Sequence, residues 1–124
     1  MFALLQYIRS IYNFTYNQIM KNAYIYIMSN KTRTTFYIGV TNDLWRRVAE
    51  HSEGIGSKFA QNYKLFDLVY YEHFSDIRYA IMREKQLKNW HRAWKLNLIK
   101  KINPGLEDLK INLYSNLDSE TSSE

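Results

Sequence analysis

A single domain mixing strands and helices, α+β within the broad α/β class, is the fold this sequence predicts, and three observations carry the prediction. The chain has 124 residues, enough for one core and too few for two ordinary domains. Three runs rich in β-branched and aromatic side chains, 24–28, 34–40 and 65–74, alternate with stretches that read as capped helices. Apolar residues make up 46% of the chain and aromatic residues 16%, eleven tyrosines among them, so folding can bury enough surface to offset the chain entropy it costs.

The first run, Tyr24 to Met28, ends in the polar Ser29, Asn30, Lys31 and Thr32, and the second follows at once, which predicts a β-hairpin. Thr41 or Asn42 is expected to cap a helix from about Asp43 to His51, the acidic residue being favourable in the first turn. Gly54 and Gly56 close that helix, a short helical piece is expected over 57–62, and the third strand spans 65–74. Ser75 or Asp76 then caps a longer helix over 77–89. A last helix covers 92–101, stopped by Asn103, Pro104 and Gly105.

The ends differ in composition. Residues 1–19 carry one charge, Arg9, and their apolar run is broken by Gln6, Arg9, Ser10 and Asn13, so it is too short and too polar to span a bilayer. They also lack the ordered regions of a secretory signal. Met20 directly precedes Lys21 and the first strand, so the expectation is a domain over 20–110 that starts naturally at Met20, with 1–19 an upstream extension; a short helix docking on the domain is the alternative. Residues 111–124, ending in SNLDSETSSE, read as a polar, acidic, disordered tail.

No cysteine is present, which excludes disulfides, thiolate chemistry and cysteine-ligated metal centres, and suits a cytoplasmic location. Residues 20–114 hold sixteen Lys and Arg against nine Asp and Glu, so a polyanionic partner, nucleic acid first, is expected, and no membrane.

On the first helix Leu44 and Val48 define the apolar side and Arg46 and Glu50 point away from it. Arg47 and His51, four residues apart, share the stripe's edge, where they can lean over the sheet or form an exposed basic face. On the longer helix Ile77, Ala80, Ile81, Glu84 and Leu87 fall together, so Glu84 puts a carboxylate in the middle of a buried stripe. Such a group needs a cation, a metal or a proton. It is either a site residue or half of a structural salt bridge, for instance to Arg47. Strand parity places Tyr24 with Tyr26, and Tyr37 with Gly39, whose missing side chain leaves a bare patch for backbone or ligand.

These residues, in the order "YIYIMSN", "FYIGVTNDLWRRVAEH", "GIGSKFAQNY", "LVYYE", "REKQLKNW" and "INPGLEDL", resemble the GIY-YIG nuclease superfamily, and its small stand-alone bacterial members in particular, over about residues 22–109. The resemblance implies a three-stranded antiparallel sheet flanked by helices and hydrolysis of a phosphodiester with one divalent metal, Mg²⁺ or Mn²⁺. By position, Tyr26 and Tyr37 match the motif tyrosines, Gly39 the motif glycine, Arg47 the family's arginine and Glu84 its metal ligand. His51 matches a position held by histidine or tyrosine, and Asn103 a C-terminal asparagine. Tyr24 departs from the pattern, standing where the motif name has glycine.

The chemistry expected from this set is a metal-dependent endonuclease in repair, recombination or processing, with DNA favoured over RNA as the nucleic acid but the two not separated by the sequence. Glu84 would hold the metal and Arg47 would neutralise charge on the non-bridging oxygens. Tyr26 or Tyr37, assisted by His51, would take the proton of the attacking water. Lys85, Lys88, Arg92, Lys95, Lys100 and Lys101, interleaved with Trp90, His91 and Trp94, could track a phosphate backbone, with Lys58 and Tyr63 as further contacts. Against this, Trp94, Leu98 and Ile102 could be a core stripe with the lysines as its solvated reverse. The competing functions are a nucleic-acid-binding module that keeps the fold without turnover, and a toxin-like or defence nuclease.

Overall fold

The computed structural model describes residues 3–10, 22–113 and 115. Of these, 3–10 are helical with every side chain exposed. The proposed start at Met20 and residues 116–124 of the expected tail lie outside the described residues, whereas 111–113, the first part of that tail, are helical, with Leu113 packed against the core rather than disordered.

Three strands, β1 (Ala23–Ser29), β2 (Phe36–Thr41) and β3 (Asp67–Phe74), form one antiparallel sheet in the order β2-β1-β3. The helices packed around this sheet among the described residues include α1 (Leu44–Ser52), α2 (Lys58–Asn62), α3 (Ile77–Lys88) and α4 (Arg92–Ile102), with β3 between α2 and α3. The sheet is covered on both faces, which is why central β1 is buried almost throughout rather than on alternate residues. One face packs Ile25, Ile27 and Ile38 against Ala80 and Leu87 of α3 and Ile99 of α4. The other packs Tyr26 and Met28 against Leu44 and Val48 of α1, Ala60 of α2, and Leu109 and Leu113 beyond α4. Between Ile27 and Met28 the β1–β3 register slips so that Val69 is the extra residue of a bulge.

Several boundaries depart from the sequence expectation for identifiable reasons. The hairpin turn runs to residue 35, because Asn30 Oδ1 accepts from both Thr34 N (2.9 Å) and Thr35 N (3.2 Å), so β2 starts at Phe36. Arg33, at φ +58°, clamps the turn by donating to Asn30 O, Leu106 O and the Asp67 carboxylate. The residue that caps α1 is Asp43, whose carboxylate accepts from Arg46 N, and not Thr41 or Asn42. Leu65 N bonds Ala60 O to close α2, which delays β3 to Asp67. Asp76 caps α3 as expected.

The proposed stripe of Trp94, Leu98 and Ile102 is not the core side of α4. Trp94 is 54% exposed and Ile102 69%, whereas Ile99 is wholly buried and Leu98 partly so. On α3 likewise, Ala80 and Leu87 are buried but Ile81 is exposed at the stripe's margin.

Candidate active site

Tyr26 and Gly39 face each other across the β1–β2 ladder. The patch left bare by Gly39 is filled by the Tyr26 phenol: a Cβ at Gly39 would sit 2.8 Å from Tyr26 Cε1 and closer still to Cζ and Oη. The phenol oxygen accepts from Arg47 Nε (3.3 Å) and shares a hydrogen bond with His51 Nε2 (3.1 Å). Tyr37 lies beside both rings, with centroids 6.2 Å from Tyr26 and 5.5 Å from His51. Two strands and one helix thus bring Tyr26, Tyr37, Arg47 and His51 into a single cluster.

The cluster divides by exposure. Tyr26 and His51 are each 1% exposed, so His51 lies inside the packed face of α1 and not at its edge. The Arg47 side chain is 37% exposed and Tyr37 half-buried. Burial pushes the Tyr26 phenol up to about 12, with the Arg47 guanidinium opposing part of that rise. His51 is held below the ordinary imidazole range by burial and then by the Arg47 charge, while Glu50 pulls the other way. Arg47 is in turn driven further toward its charged form by its bond to Tyr26. His51 Nδ1 is buried without a hydrogen-bond partner among the described residues. A second N–H there would have no acceptor, which fits a neutral ring.

Two contributors were not singled out from the sequence. Glu50 accepts from Arg47 Nη1 (3.1 Å) and bridges Arg46 (3.7 Å), so it turns back toward the cluster. Its i,i+3 and i,i+4 spacing to the two arginines was the available signal. Gly56 packs flat on His51, where a Cβ would come within 2.7 Å of Cε1. That close approach depends on the fold of the α1–α2 loop and has no signature in the sequence.

Glu84 is placed otherwise. It belongs to α3, on the opposite sheet face from Tyr26 and α1, with its side chain 14% exposed and ion-paired to Lys88 one turn on. The alternative of a salt bridge to Arg47 is not realised, because Arg47 pairs with Glu50, and among the described residues no hydrogen bond joins Glu84 to the cluster. No group of three or more His, Asp or Glu side chains that could hold a metal occurs among the described residues. One partly buried carboxylate nevertheless offers the hard oxygen donor that Mg²⁺ or Mn²⁺ prefers, leaving the other positions to water and substrate oxygens. Lys88, its ion-pair partner, is 56% exposed.

Asn103 is a brace. Its side chain donates to Val69 O (3.0 Å) and Glu107 O (2.8 Å) and accepts from Glu107 N (3.0 Å), pinning the segment after α4 to β3. Arg92, expected on nucleic acid, has its guanidinium committed to Thr34 O and Arg33 O and lies over the Phe36 ring. Lys58, Tyr63, Lys85, Lys88, Lys100 and Lys101 are exposed and Lys95 is half-buried.

A sheet in the order β2-β1-β3, with tyrosines on one face of its first two strands, an arginine on the following helix and a carboxylate on α3, is the pattern of a GIY-YIG catalytic domain. The chain belongs to that family, matching the GIY-YIG catalytic domain over residues 22–97. Its relatives include UPF0213 proteins of Natronomonas pharaonis, 37% identical over 61% of this chain and 88% of that one, and of Clostridium perfringens, 38% identical over 61% and 81%. The solution structure of a UPF0213 protein from Bacillus halodurans is similar at 30% identity and a TM-score of 0.47, covering 70% of this chain and 92% of that one. Among the described residues no helix is long and apolar enough to cross a membrane.

Proposed function

We propose that this chain is a divalent-metal-dependent endonuclease that hydrolyses phosphodiester bonds in DNA. The observation that carries the reading is how Arg47 is held. Its Nε is anchored on the Tyr26 phenol and its Nη1 on Glu50, and Nη2 has no partner among the described residues. A guanidinium fixed at two corners with the third open is suited to a phosphate oxygen, and holding it before substrate arrives saves reorganisation as negative charge develops.

The division by exposure supports roles for the remaining parts. Buried Tyr26 and His51 position Arg47. Half-buried Tyr37 is the phenol that water can reach, and it orients the attacking water and takes part in removing its proton. Glu84, the carboxylate that would hold a cation by family position, lies on the opposite sheet face from Arg47, so Glu84→Ala tests separately whether a cation there serves the same phosphate. The exposed lysines of α3 and α4 add affinity for the backbone without sequence information.

The test is cleavage of labelled single-stranded, duplex and branched DNA and RNA in Mg²⁺, Mn²⁺ or EDTA by wild type, Arg47→Ala and Glu84→Ala. Metal-dependent cutting that falls at least a hundredfold in both variants is expected, in line with loss of one charge-stabilising group. Salt-sensitive binding with no cutting by any form would refute the enzyme and leave a binding module.

A further inference from the structure

A groove of about 490 Å³ opens between the β1–β2 turn and the end of α2, and none of its lining residues belongs to the tyrosine–arginine–histidine cluster. Phe66 and the 53%-exposed Tyr63 give it aromatic walls, and Tyr63 is steadied by Phe59, with ring centroids 4.6 Å apart. Its polar groups fall into two sets. Asn30 is used up in the turn and Asp67 is paired with Arg33 at 2.8 Å. Lys31 and Lys64 are exposed and have no side-chain partner among the described residues. The groove is therefore aromatic inside and cationic at its rim.

Lys64 adds a second argument. It stands just after the α2 cap at φ +56°, beside the Leu65 N to Ala60 O bond that ends the helix. Glycine is the ordinary occupant of such a position, because a side chain there carries the steric penalty of left-handed backbone. A lysine is not there for the turn.

We propose that this groove holds an unpaired nucleotide of the nucleic acid cut at the Arg47 site, its base against Tyr63 and Phe66 and its phosphate toward Lys31 and Lys64. The proposal rests on the nuclease reading and narrows its substrate to nucleic acid with a single-stranded element. Aromatic walls accept any base face, but only of a base not already paired and stacked in a duplex. The unpaired lysines match phosphate in sign, as an aliphatic ligand would not require. The groove is also within reach of the site: Gly56 packs on His51, and α2 then spans only about 8 Å to Tyr63. Just past the end of β1, Asn30 follows Met28, the partner of Tyr37, by about 7 Å at the roughly 3.4 Å per residue of extended chain.

The experiment is fluorescence anisotropy of the full chain in EDTA with a labelled single strand, a duplex bearing a single-stranded overhang and a blunt duplex. Tyr63→Ala is expected to weaken the first two about tenfold and the blunt duplex less than twofold. Lys64→Gly should weaken the same two while leaving Tm unchanged or raised, which separates binding from folding. Equal losses on all three nucleic acids, no loss in either variant, or tighter binding of a polyglutamate peptide than of the single strand would overturn the proposal. Cleavage in Mg²⁺ is read separately: if nothing is cut while the single-strand losses stand, the nuclease reading fails and the nucleotide groove remains.

Discussion

Gly39→Ala adds one methyl group and perturbs the whole cluster. The backbone at Gly39 does not require glycine, so the cost comes from the Tyr26 ring, whose Cζ, Oη and Cε1 all lie within 2.8 Å of the new carbon. Restoring ordinary contact of about 3.5–4 Å requires the ring to move by about 1–1.5 Å. At 1% exposure Tyr26 has no vacant space to enter. Overpacking of this kind costs about 1–3 kcal/mol. A shift of that size also lengthens the bond to Arg47, and hydrogen bonds to charged groups are worth about 1.5–3 kcal/mol, of which a part is lost. The expected destabilisation is about 2–4 kcal/mol, read as a lower urea midpoint with unchanged slope and a Tm lower by of order 10 °C. Cleavage should fall by about a hundredfold, since Arg47 loses its anchor. On a Tyr26→Leu background the same Ala should cost less than about 1 kcal/mol, because the ring it strikes is gone. A Gly39→Ala protein within about 0.5 kcal/mol of wild type and fully active would refute the reasoning.

Other consequences follow from particular contacts. Asn103→Ala leaves Val69 O and Glu107 O without their donor and should cost about 2–4 kcal/mol in denaturant unfolding; lost cleavage at unchanged stability would make Asn103 a substrate group instead. Because His51 resists protonation when folded, the unfolded chain binds a proton below about pH 6.5 that the folded chain refuses. Stability from this residue is therefore complete above that pH and declines as pH falls through it, and Tm from pH 5 to 8 should drop more on acidification in wild type than in His51→Gln. Arg92→Ala should lower Tm by releasing the turn from α4, with DNA affinity changed less than threefold; a larger affinity loss at equal Tm would return Arg92 to the binding face.

The legible part of the fold was its period and punctuation. The polar break at Ser29–Thr32 marked the hairpin and Asp76 marked the start of α3, because each acts through the local backbone. Tyr26, Tyr37, Arg47 and His51 could be gathered from motif order, and the structure brings them together. Burial of α4 was misread, since its apolar residues outnumber what the sheet covers, and which of Trp94, Leu98, Ile99 and Ile102 faces inward depends on the crossing of two helices. Gly56 and Arg33 were missed for a related reason. Their partners, His51 for one and Asp67 and Leu106 for the other, come together only in three dimensions.

Why a site built around an arginine should bury a phenol and an imidazole beneath it follows from the arginine's own freedom. A guanidinium on a flexible stem carries about 2 kcal/mol of rotamer entropy, and an exposed one spends little of its time aimed at a substrate. Tyr26 removes that freedom from inside, provided its oxygen remains an acceptor held in one place. Gly39 sets the ring plane, and His51, kept neutral and capped by Gly56, fixes the other side of the oxygen. A charged His51 would repel Arg47, so the imidazole stays neutral for the same reason that the arginine is held. It follows that Tyr26→Phe, which keeps the ring and deletes the oxygen, should lower cleavage mainly through kcat at constant pH profile. Loss of the alkaline or acid limb of that profile would mean instead that the Tyr26 proton itself takes part in the reaction.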